Sequence, residues 1–309
     1  MNKISLIYVA GHNGLVGGGL LRALHSRGYR RTVTRSREML DLTQRPAVDK
    51  FFADVRPDYV FLAAALVGGI GANMQRPASF SLENLQVQTN VVDAARQAHC
   101  QGLLFLGSSC CYPRAAVQPI TEAALGTGAL EPTNEAYATA KLAGISLLRA
   151  CRQQYGFRSV VAMPSNLYGP GDSYDVDNAH VLPTLIRRFH EAVAHEQRTV
   201  TLWGTGTARR EFLHVDDCAD ACLLLMEGAH SDVFNVGTGS DMTIAELAEA
   251  VAAAVGYTGA IEWDGRAALD GMPAKRLDTT RMAGLGWAPR INLAAGLRHA
   301  YRCFLAEGT

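Results

Sequence analysis

The chain begins with Ile4-Ser-Leu-Ile-Tyr-Val-Ala-Gly-His-Asn-Gly-Leu-Val-Gly17, and this stretch decides the fold. Ile4, Leu6, Ile7 and Val9 crowd into one short run, as in a strand buried on both faces. Gly11, Gly14 and Gly17 follow at once. Leu15, Val16, Leu20, Leu21 and Leu24 then recur at helical spacing. Strand, glycine turn and helix at the head of a chain is the setting of a dinucleotide-binding turn. The glycines permit a tight turn and let a pyrophosphate approach the backbone. The helix N-terminus offers it unpaired N–H groups and positive partial charge. The spacing is G-x-x-G-x-x-G rather than G-x-G-x-x-G, so a βα turn that merely needs glycine is the competing reading.

Residues 29–34 read as the second strand, and Arg35-Ser36-Arg37 stands at its end. A carboxylate there would accept hydrogen bonds from an adenosine ribose 2′-OH and select NAD, whereas arginine suits a 2′-phosphate. NADP(H) is therefore the expected dinucleotide, with a solvated basic loop as the plainer reading. Asp41, slightly further on, serves either the adenine end of the cofactor or an ordinary helix cap.

Strands and helices go on alternating. Residues 60–65, 103–106 and 160–163 are short apolar runs expected to be buried strands, and 85–98 and 136–155 carry helical periodicity. The alternation argues for an α/β fold with a Rossmann-type doubly wound parallel sheet and a smaller C-terminal α/β part. Residues 1–166 with about 207–236 are expected to form the dinucleotide domain, and 167–206 with 237–309 the substrate domain. In such sheets ligands bind beyond the carboxyl ends of the strands. The Gly11 turn, the Arg35 loop, Gly68-Gly69, Ser108 to Cys110 and Asn166 all fall there. After Gly171 the pattern loosens. Residues 172–180 read as a loop, 180–194 as a helix, 200–203 as a strand, 209–212 as the lead into a helix over 215–226, and 233–236 as a strand. Thr243 with Glu246 carries the capping-box signature.

Tyr137 and Lys141 stand four apart, on one face of their helix. An ammonium there can lower the phenol's pKa and ready it to protonate a reacting oxygen near neutral pH. Ser108, at the end of the strand before them, can hold that oxygen. Cys110 is the odd member, because reduction alone needs no thiol. Its plainer reading is a small buried hydrophobe, with Cys111 beside it also available.

Lys and Arg together number 29, as do Asp and Glu, so no electrostatic attraction to nucleic acid or an anionic membrane is expected. The longest apolar run, 60–70, is too short for a bilayer and is broken by glycines. The N-terminus has no signal-like pattern. The cysteines number seven, an odd count without metal-ligand spacing, so reduced thiols in a cytoplasmic protein are expected, with no metal.

A set of runs now bears on family. They are Ala10-Gly-His-Asn-Gly-Leu-Val-Gly17, Leu62-Ala-Ala-Ala-Leu-Val-Gly-Gly-Ile70, Phe105-Leu-Gly-Ser-Ser-Cys110, Glu131-Pro-Thr-Asn-Glu135 and Tyr137-x-x-x-Lys141. Asn166-Leu-Tyr-Gly-Pro170, His180, Arg210-Glu-Phe-Leu-His-Val-Asp-Asp217 and Asn235-Val-Gly-Thr-Gly239 complete them. Across essentially the whole chain these resemble the extended short-chain dehydrogenase/reductase family acting on nucleotide sugars. Within it they are similar to the branch that epimerises and reduces GDP-4-keto-6-deoxymannose. Val67-Gly-Gly-Ile70 and Ser109-Cys110 are specific to that branch, while the glycine turn and the Tyr–Lys pair are shared more widely.

The resemblance implies a 4-keto sugar substrate, whose ketone acidifies the C–H bonds at C3 and C5. It makes Cys110 the base and His180 the acid on opposite sides of the sugar, and a thiolate beside Lys141 and a nicotinamide is expected to be stabilised. Tyr137 would protonate the alkoxide formed at C4, Ser108 would hydrogen-bond it, and Lys141 would hold the ribose and lower the tyrosine's pKa. Expected cofactor contacts are Gly11, Asn13, Gly14, Leu15, Val16, Gly17, Arg35, Arg37, Asp41, Leu42, Ala63, Tyr137, Lys141, Pro164, Asn166, Leu167 and His180. Expected GDP-sugar contacts are Ser108, Cys110, Asn166, Arg188, Trp203, Arg210 and Lys275. Trp203 either stacks on guanine or packs locally, and the three cations either bind the pyrophosphate or are surface charges. The family commonly has arginine where this chain has Asn13, so a weakened NADP preference is expected. A homodimer through a four-helix bundle is implied by the family. The alternatives are an enzyme for another GDP-4-keto sugar, a deoxyheptose or dideoxyhexose, or a non-catalytic dinucleotide sensor. A dehydratase would carry an acidic pair where Ser109-Cys110-Cys111 stands.

Overall fold

The computed structural model describes residues 1–175, 179–267 and 270–307. The chain runs β1 (Ile7–Ala10), α1 (Leu15–Ser26), β2 (Thr32–Val33), α2 (Arg45–Val55), β3 (Tyr59–Leu62), α3 (Ile70–Gln75), α4 (Pro77–Gln97), β4 (Gly102–Leu106), α5 (Glu135–Tyr155) and β5 (Ser159–Pro164). It continues through β6 (Asn166–Tyr168), α6 (Val181–Ala194), β7 (Thr199–Leu202), β8 (Arg209–Arg210), β9 (Phe212–His214), α7 (Val215–Glu227) and β10 (Val233–Val236). Last come β11 (Met242–Thr243), α8 (Ile244–Val255), β12 (Ala260–Trp263), β13 (Ala274–Lys275), α9 (Thr280–Gly284) and α10 (Leu293–Glu307).

Strands β1, β3, β4, β5 and β10 are buried along their whole lengths, as near-continuous apolar runs covered on both faces must be. With β2 they make one parallel sheet in the order β10-β5-β4-β3-β1-β2. On one face Tyr8, Phe52, Val91, Phe105 and Leu148 join the sheet to α2, α4 and α5. On the other, Val9, Leu20, Phe61, Leu104 and Leu223 join it to α1 and α7. A third apolar cluster, with Phe189, Leu247, Val251, Leu297 and Phe304, packs α6, α8 and α10 around β7 and β12. No helix among the described residues is long and apolar enough to cross a membrane.

The order places the topological switch between β1 and β3, where the chain's crossovers change direction and a crevice opens at the strand ends. Gly11 leaves β1 there with φ +86°, a conformation that favours glycine, and a Cβ on it would stand 2.6 Å from the Ala64 backbone nitrogen. A Cβ on Gly17 would strike the Gly11 carbonyl. Gly17→Ala is therefore expected to destabilise the protein by about 3 kcal/mol, the upper range for overpacking a close contact. Urea unfolding measures it, and a change within experimental error would contradict the close turn.

Several elements differ from their sequence pattern. Helix α4 starts at Pro77 and not at residue 85, because Pro77 suits a helix's first turn and the inward pair at 80 and 84 combines Phe80 with a polar Asn84. Strand β2 shrinks to its two residues paired with β1 at the sheet edge. Residues 209–212, read as a lead into a helix, supply β8 and the start of β9, and the turn-rich exit after β5 contains β6, which pairs with β9. The expected loop over 172–180 includes residues 176–178, which lie outside the described residues. The capping box at α8 forms, with Thr243 Oγ1 accepting from Glu246 N at 3.0 Å and Glu246 Oε2 from Thr243 N at 2.7 Å.

Candidate active site

Strand β4 ends at Leu106, and Ser108 caps the one-turn 3-10 helix Ser109–Cys111 by accepting the Cys110 N–H on its hydroxyl at 3.2 Å. That turn separates the adjacent cysteines. Cys111 is fully buried, its thiol points to the Ala138 carbonyl, and burial pushes its pKa up to about 12. Cys110 is half-buried. Its sulfur meets Asn134 Nδ2 at 3.3 Å and Lys275 Nζ at 3.8 Å. The cation at the sulfur is thus Lys275, which the sequence reading grouped with pyrophosphate ligands, and not the expected Lys141.

Helix α5 carries Tyr137 and Lys141 side by side. Lys141 Nζ is buried, donates to the Leu106 carbonyl at 2.9 Å, and lies 4.7 Å from the Phe105 ring centre and 5.9 Å from that of Tyr137. Burial lowers its pKa to about 8, against a smaller upward pull from Cys111. Tyr137 packs edge-on against Phe80. Burial raises its phenol above the usual tyrosine range, the neighbouring thiols Cys110 and Cys111 add to that, and only the Ser108 hydroxyl pulls it down. The Leu106 carbonyl accepts from the ammonium, whose charge stays beside the Tyr137 ring.

His180 stands at the N-cap of α6 with exposed surface, yet enough protein surrounds it that desolvation lowers its pKa. No hydrogen bond among the described residues joins His180 to Cys110 or Tyr137.

The cations come from small sheets that the sequence hid. Strand β8 pairs with β11 on one side and β13 on the other, and the β13 register sets Lys275 opposite Arg210. The Arg210 guanidinium donates to the Met272 and Asp270 carbonyls at 2.6 and 2.8 Å, and burial lowers its pKa. Arg188 donates to the Thr201 carbonyl and lies 4.9 Å from the ring centre of Trp203, which is 58% exposed. Arg188 and Trp203 form one group, and Cys110, Lys275 and Arg210 another.

Glu211, given no role of its own from the sequence, holds these pieces together. It is fully buried and accepts N–H groups from Gly239 and Leu277 at 2.8 and 2.9 Å, while its carbonyl receives Asn166 Nδ2 at 2.9 Å. Burial raises its pKa despite those bonds. A carboxylate directly before the apolar pair Phe212–Leu213 was the available signal. His214, Asp216 and His299 also cluster closely enough for a cation. However, His214 Nδ1 accepts the Asp216 N–H, its Nε2 pairs with His299 Nδ1 at 3.3 Å, and Arg22 holds the Asp216 carboxylate. Hydrogen bonding accounts for that group.

The crevice fits a dinucleotide. Helix α1 begins at Gly14 with no side-chain cap, so its first N–H groups are open to an anion, and Asn13 and Gly14 are exposed. Leu15 and Val16 are half-buried. Arg35 bonds the Thr34 carbonyl and lies over the Phe51 ring, while Arg37 pairs with Glu83. Asp41 accepts from the Thr43 N–H and hydroxyl in a local turn and caps no helix, the N-cap of α2 being Gln44, and the Leu42 carbonyl accepts from Asn90. Ala63 leaves β3 across from Gly11, and Pro164, Asn166 and Leu167 lie where β5 passes into β6.

The sequence pattern of the NAD dependent epimerase/dehydratase family matches residues 7–237. The chain belongs to that family. Within the epimerase/dehydratase family it is 52% identical over 306 residues to the probable GDP-L-fucose synthase 1 of Oryza sativa subsp. japonica, covering 98% of this chain and 93% of that protein. It is 49% identical over 311 residues to the GDP-L-fucose synthase of Escherichia coli (strain K12), covering 97% and 96%. Among solved structures it is similar to MlghC, a GDP-mannoheptose C4 reductase from Campylobacter jejuni with NADP bound. That likeness has a TM-score of 0.88 and 32% identity, and covers 99% of both chains.

Proposed function

We propose that this protein converts GDP-4-keto-6-deoxy-D-mannose to GDP-L-fucose, inverting C3 and C5 and then reducing C4 with NADPH. The observation that carries this reading is Cys110, a half-buried thiol facing Lys275 and Asn134 in the loop beside the Tyr137–Lys141 pair. A reductase needs the pair, whereas an epimerase needs a base as well. The identity near 50% to GDP-L-fucose synthases over nearly the whole chain supports the same activity.

When bound, NADPH supplies the hydride that reduces C4. The residues to hold it are the Gly11–Gly17 turn and the α1 N-terminus for the pyrophosphate, Arg35 and Arg37 for the 2′-phosphate, and Lys141 for the ribose. Cys110 takes the proton from C3 and then C5, and the C–H electron pair moves onto the ketone oxygen. His180 returns a proton on the opposite face as the electron pair moves back from oxygen to carbon, and between the two inversions the thiol loses its proton to solvent and His180 regains one. Ser108 and Tyr137 hold O4, and Tyr137 gives its proton to the alkoxide. Arg210 and Arg188 take the GDP phosphates and Trp203 the guanine. Residues 1–166 with 207–236 serve the cofactor, and 167–206 with 237–309 the sugar nucleotide. We further propose a homodimer, for which exposed Thr139, Ala143, Ser146 and Ala150 give α5 a smooth outer face beside exposed Leu82 of α4. No disulfide joins the described cysteines, which suits a reducing cytoplasm.

Lys141 gives a pH dependence. Its ammonium is present below about pH 8 and lost above it, so reduction falls as pH rises through that value, read from initial rates of NADPH consumption. The linked stability has the opposite sense, because the unfolded lysine still binds its proton up to 10.5 and folding gains with pH between the two values. Arg35 makes no ion pair among the described residues. Arg35→Ala is expected to lower the NADPH-over-NADH ratio of kcat/KM by about tenfold or more, the worth of one charged hydrogen bond. An unchanged ratio would remove Arg35 from the phosphate site. Consumption of NADPH with GDP-4-keto-6-deoxymannose, and nuclear magnetic resonance of the product, tests the function as a whole. GDP-L-fucose supports it. GDP-D-rhamnose or GDP-6-deoxy-D-talose, the unepimerised alcohols, would make the protein a simple C4 reductase.

A further inference from the structure

We propose that Asn134 and Lys275 together hold the Cys110 sulfur as a thiolate aimed at the sugar, which makes Asn134 a positioning residue for proton abstraction. The inference rests on the epimerase reading above. Its first support is what Asn134 does not do. It occupies the N-cap of α5, where an asparagine normally accepts a first-turn N–H on its side chain. Here no such bond forms, and Nδ2 points instead to the sulfur at 3.3 Å. Its Oδ1 is buried with no hydrogen-bond partner among the described residues. Both features cost stability, and neither is compensated locally. Asn84, Asn90 and Asn235, buried side-chain amides elsewhere, hold backbone carbonyls. A local rule broken without structural return marks a functional position.

The second support is the chemistry of the donors. An amide NH₂ and an ammonium offer protons and no lone pair at the contact, so they satisfy S⁻ and give a thiol proton nothing to bond. They arrive from separate segments, the entry to α5 and β13, and fix the sulfur from two sides. Sulfur also lies at the positive end of α5, where a helix stabilises an anion. In the step itself the sulfur lone pair takes the carbon-bound proton, an S–H bond forms, and the C–H pair becomes the enolate. Asn134 precedes Tyr137 by one helical turn, so one element sets both the base and the later proton donor.

Asn134→Asp separates this role from a structural one. Aspartate caps as well as asparagine and suits the helix dipole better, so the melting temperature is expected to hold or rise. Its carboxylate would repel a thiolate. Carboxamidomethylation of Cys110 by iodoacetamide at pH 7, followed by peptide mass spectrometry, is expected to slow by about tenfold or more. The ratio of deuterium exchange into the 4-keto sugar to hydride transfer is expected to fall by about tenfold as well, as loss of a charge-assisted hydrogen bond implies. Asn134→Ser, which can cap but cannot reach the sulfur, is expected to show the same pattern more weakly, and Lys275→Met the same pattern through the other donor. Alkylation and exchange close to the wild-type rates in a stable Asn134→Asp protein would overturn the proposal. Failure of the wild-type protein to exchange at all would instead sink the epimerase reading, while the alkylation series still decides whether Asn134 holds the sulfur.

Discussion

With serine in place of Cys110, deuterium exchange into GDP-4-keto-6-deoxymannose is expected to slow by about 10²–10⁴-fold, the usual worth of a positioned general base. Hydride transfer to a ketone already epimerised should change far less, because Tyr137, Lys141 and Ser108 keep their places. Serine is close to isosteric, so the 3-10 turn that Ser108 caps survives. What changes is the acid strength of the group. An alcohol is a far weaker acid than a thiol, so a serine hydroxyl beside Asn134 and Lys275 is a poor source of the anion that takes a carbon-bound proton. Proton resonances at C3 and C5, followed in deuterated water, read the exchange. Exchange that survives unchanged would show that Cys110 is not the base.

Tyr137→Phe should give the complementary result. Reduction is expected to fall by about 10²–10⁴-fold with deuterium exchange largely retained. The phenol is raised by burial and by the neighbouring thiols, with Ser108 alone opposing, so it is a reluctant acid that gives up its proton only to an alkoxide. Phenylalanine keeps the edge-on packing against Phe80 and removes only the hydroxyl. Single-turnover oxidation of bound NADPH isolates the step. Equal loss of exchange and reduction would mean that Tyr137 serves both chemistries or that the variant has disturbed the site.

Both substitutions fall on residues that were legible in the sequence. The Gly11–Gly17 turn was legible because sterics leave little choice there, as the blocked Cβ positions at Gly11 and Gly17 demonstrate. The strand-end positions of Ser108 and Asn166 followed from the βα alternation alone. Cys110 was singled out because reduction does not require it. Lys275 was named for its charge, but its place at the sulfur was hidden, since it depends on two-residue strands that no periodicity reveals. Asn134 was invisible for a different reason. An asparagine before a helix reads as a cap, and only the folded structure shows that its side chain has turned away. Glu211 was missed because its bonds run to N–H groups from distant segments.

The most direct test of the account is incubation of the protein with GDP-4-keto-6-deoxymannose in deuterated water without NADPH, followed by addition of NADPH. The account predicts deuterium at both C3 and C5 before any reduction, and GDP-L-fucose bearing that label afterwards. NADPH consumption that yields an alcohol with neither carbon labelled would contradict it.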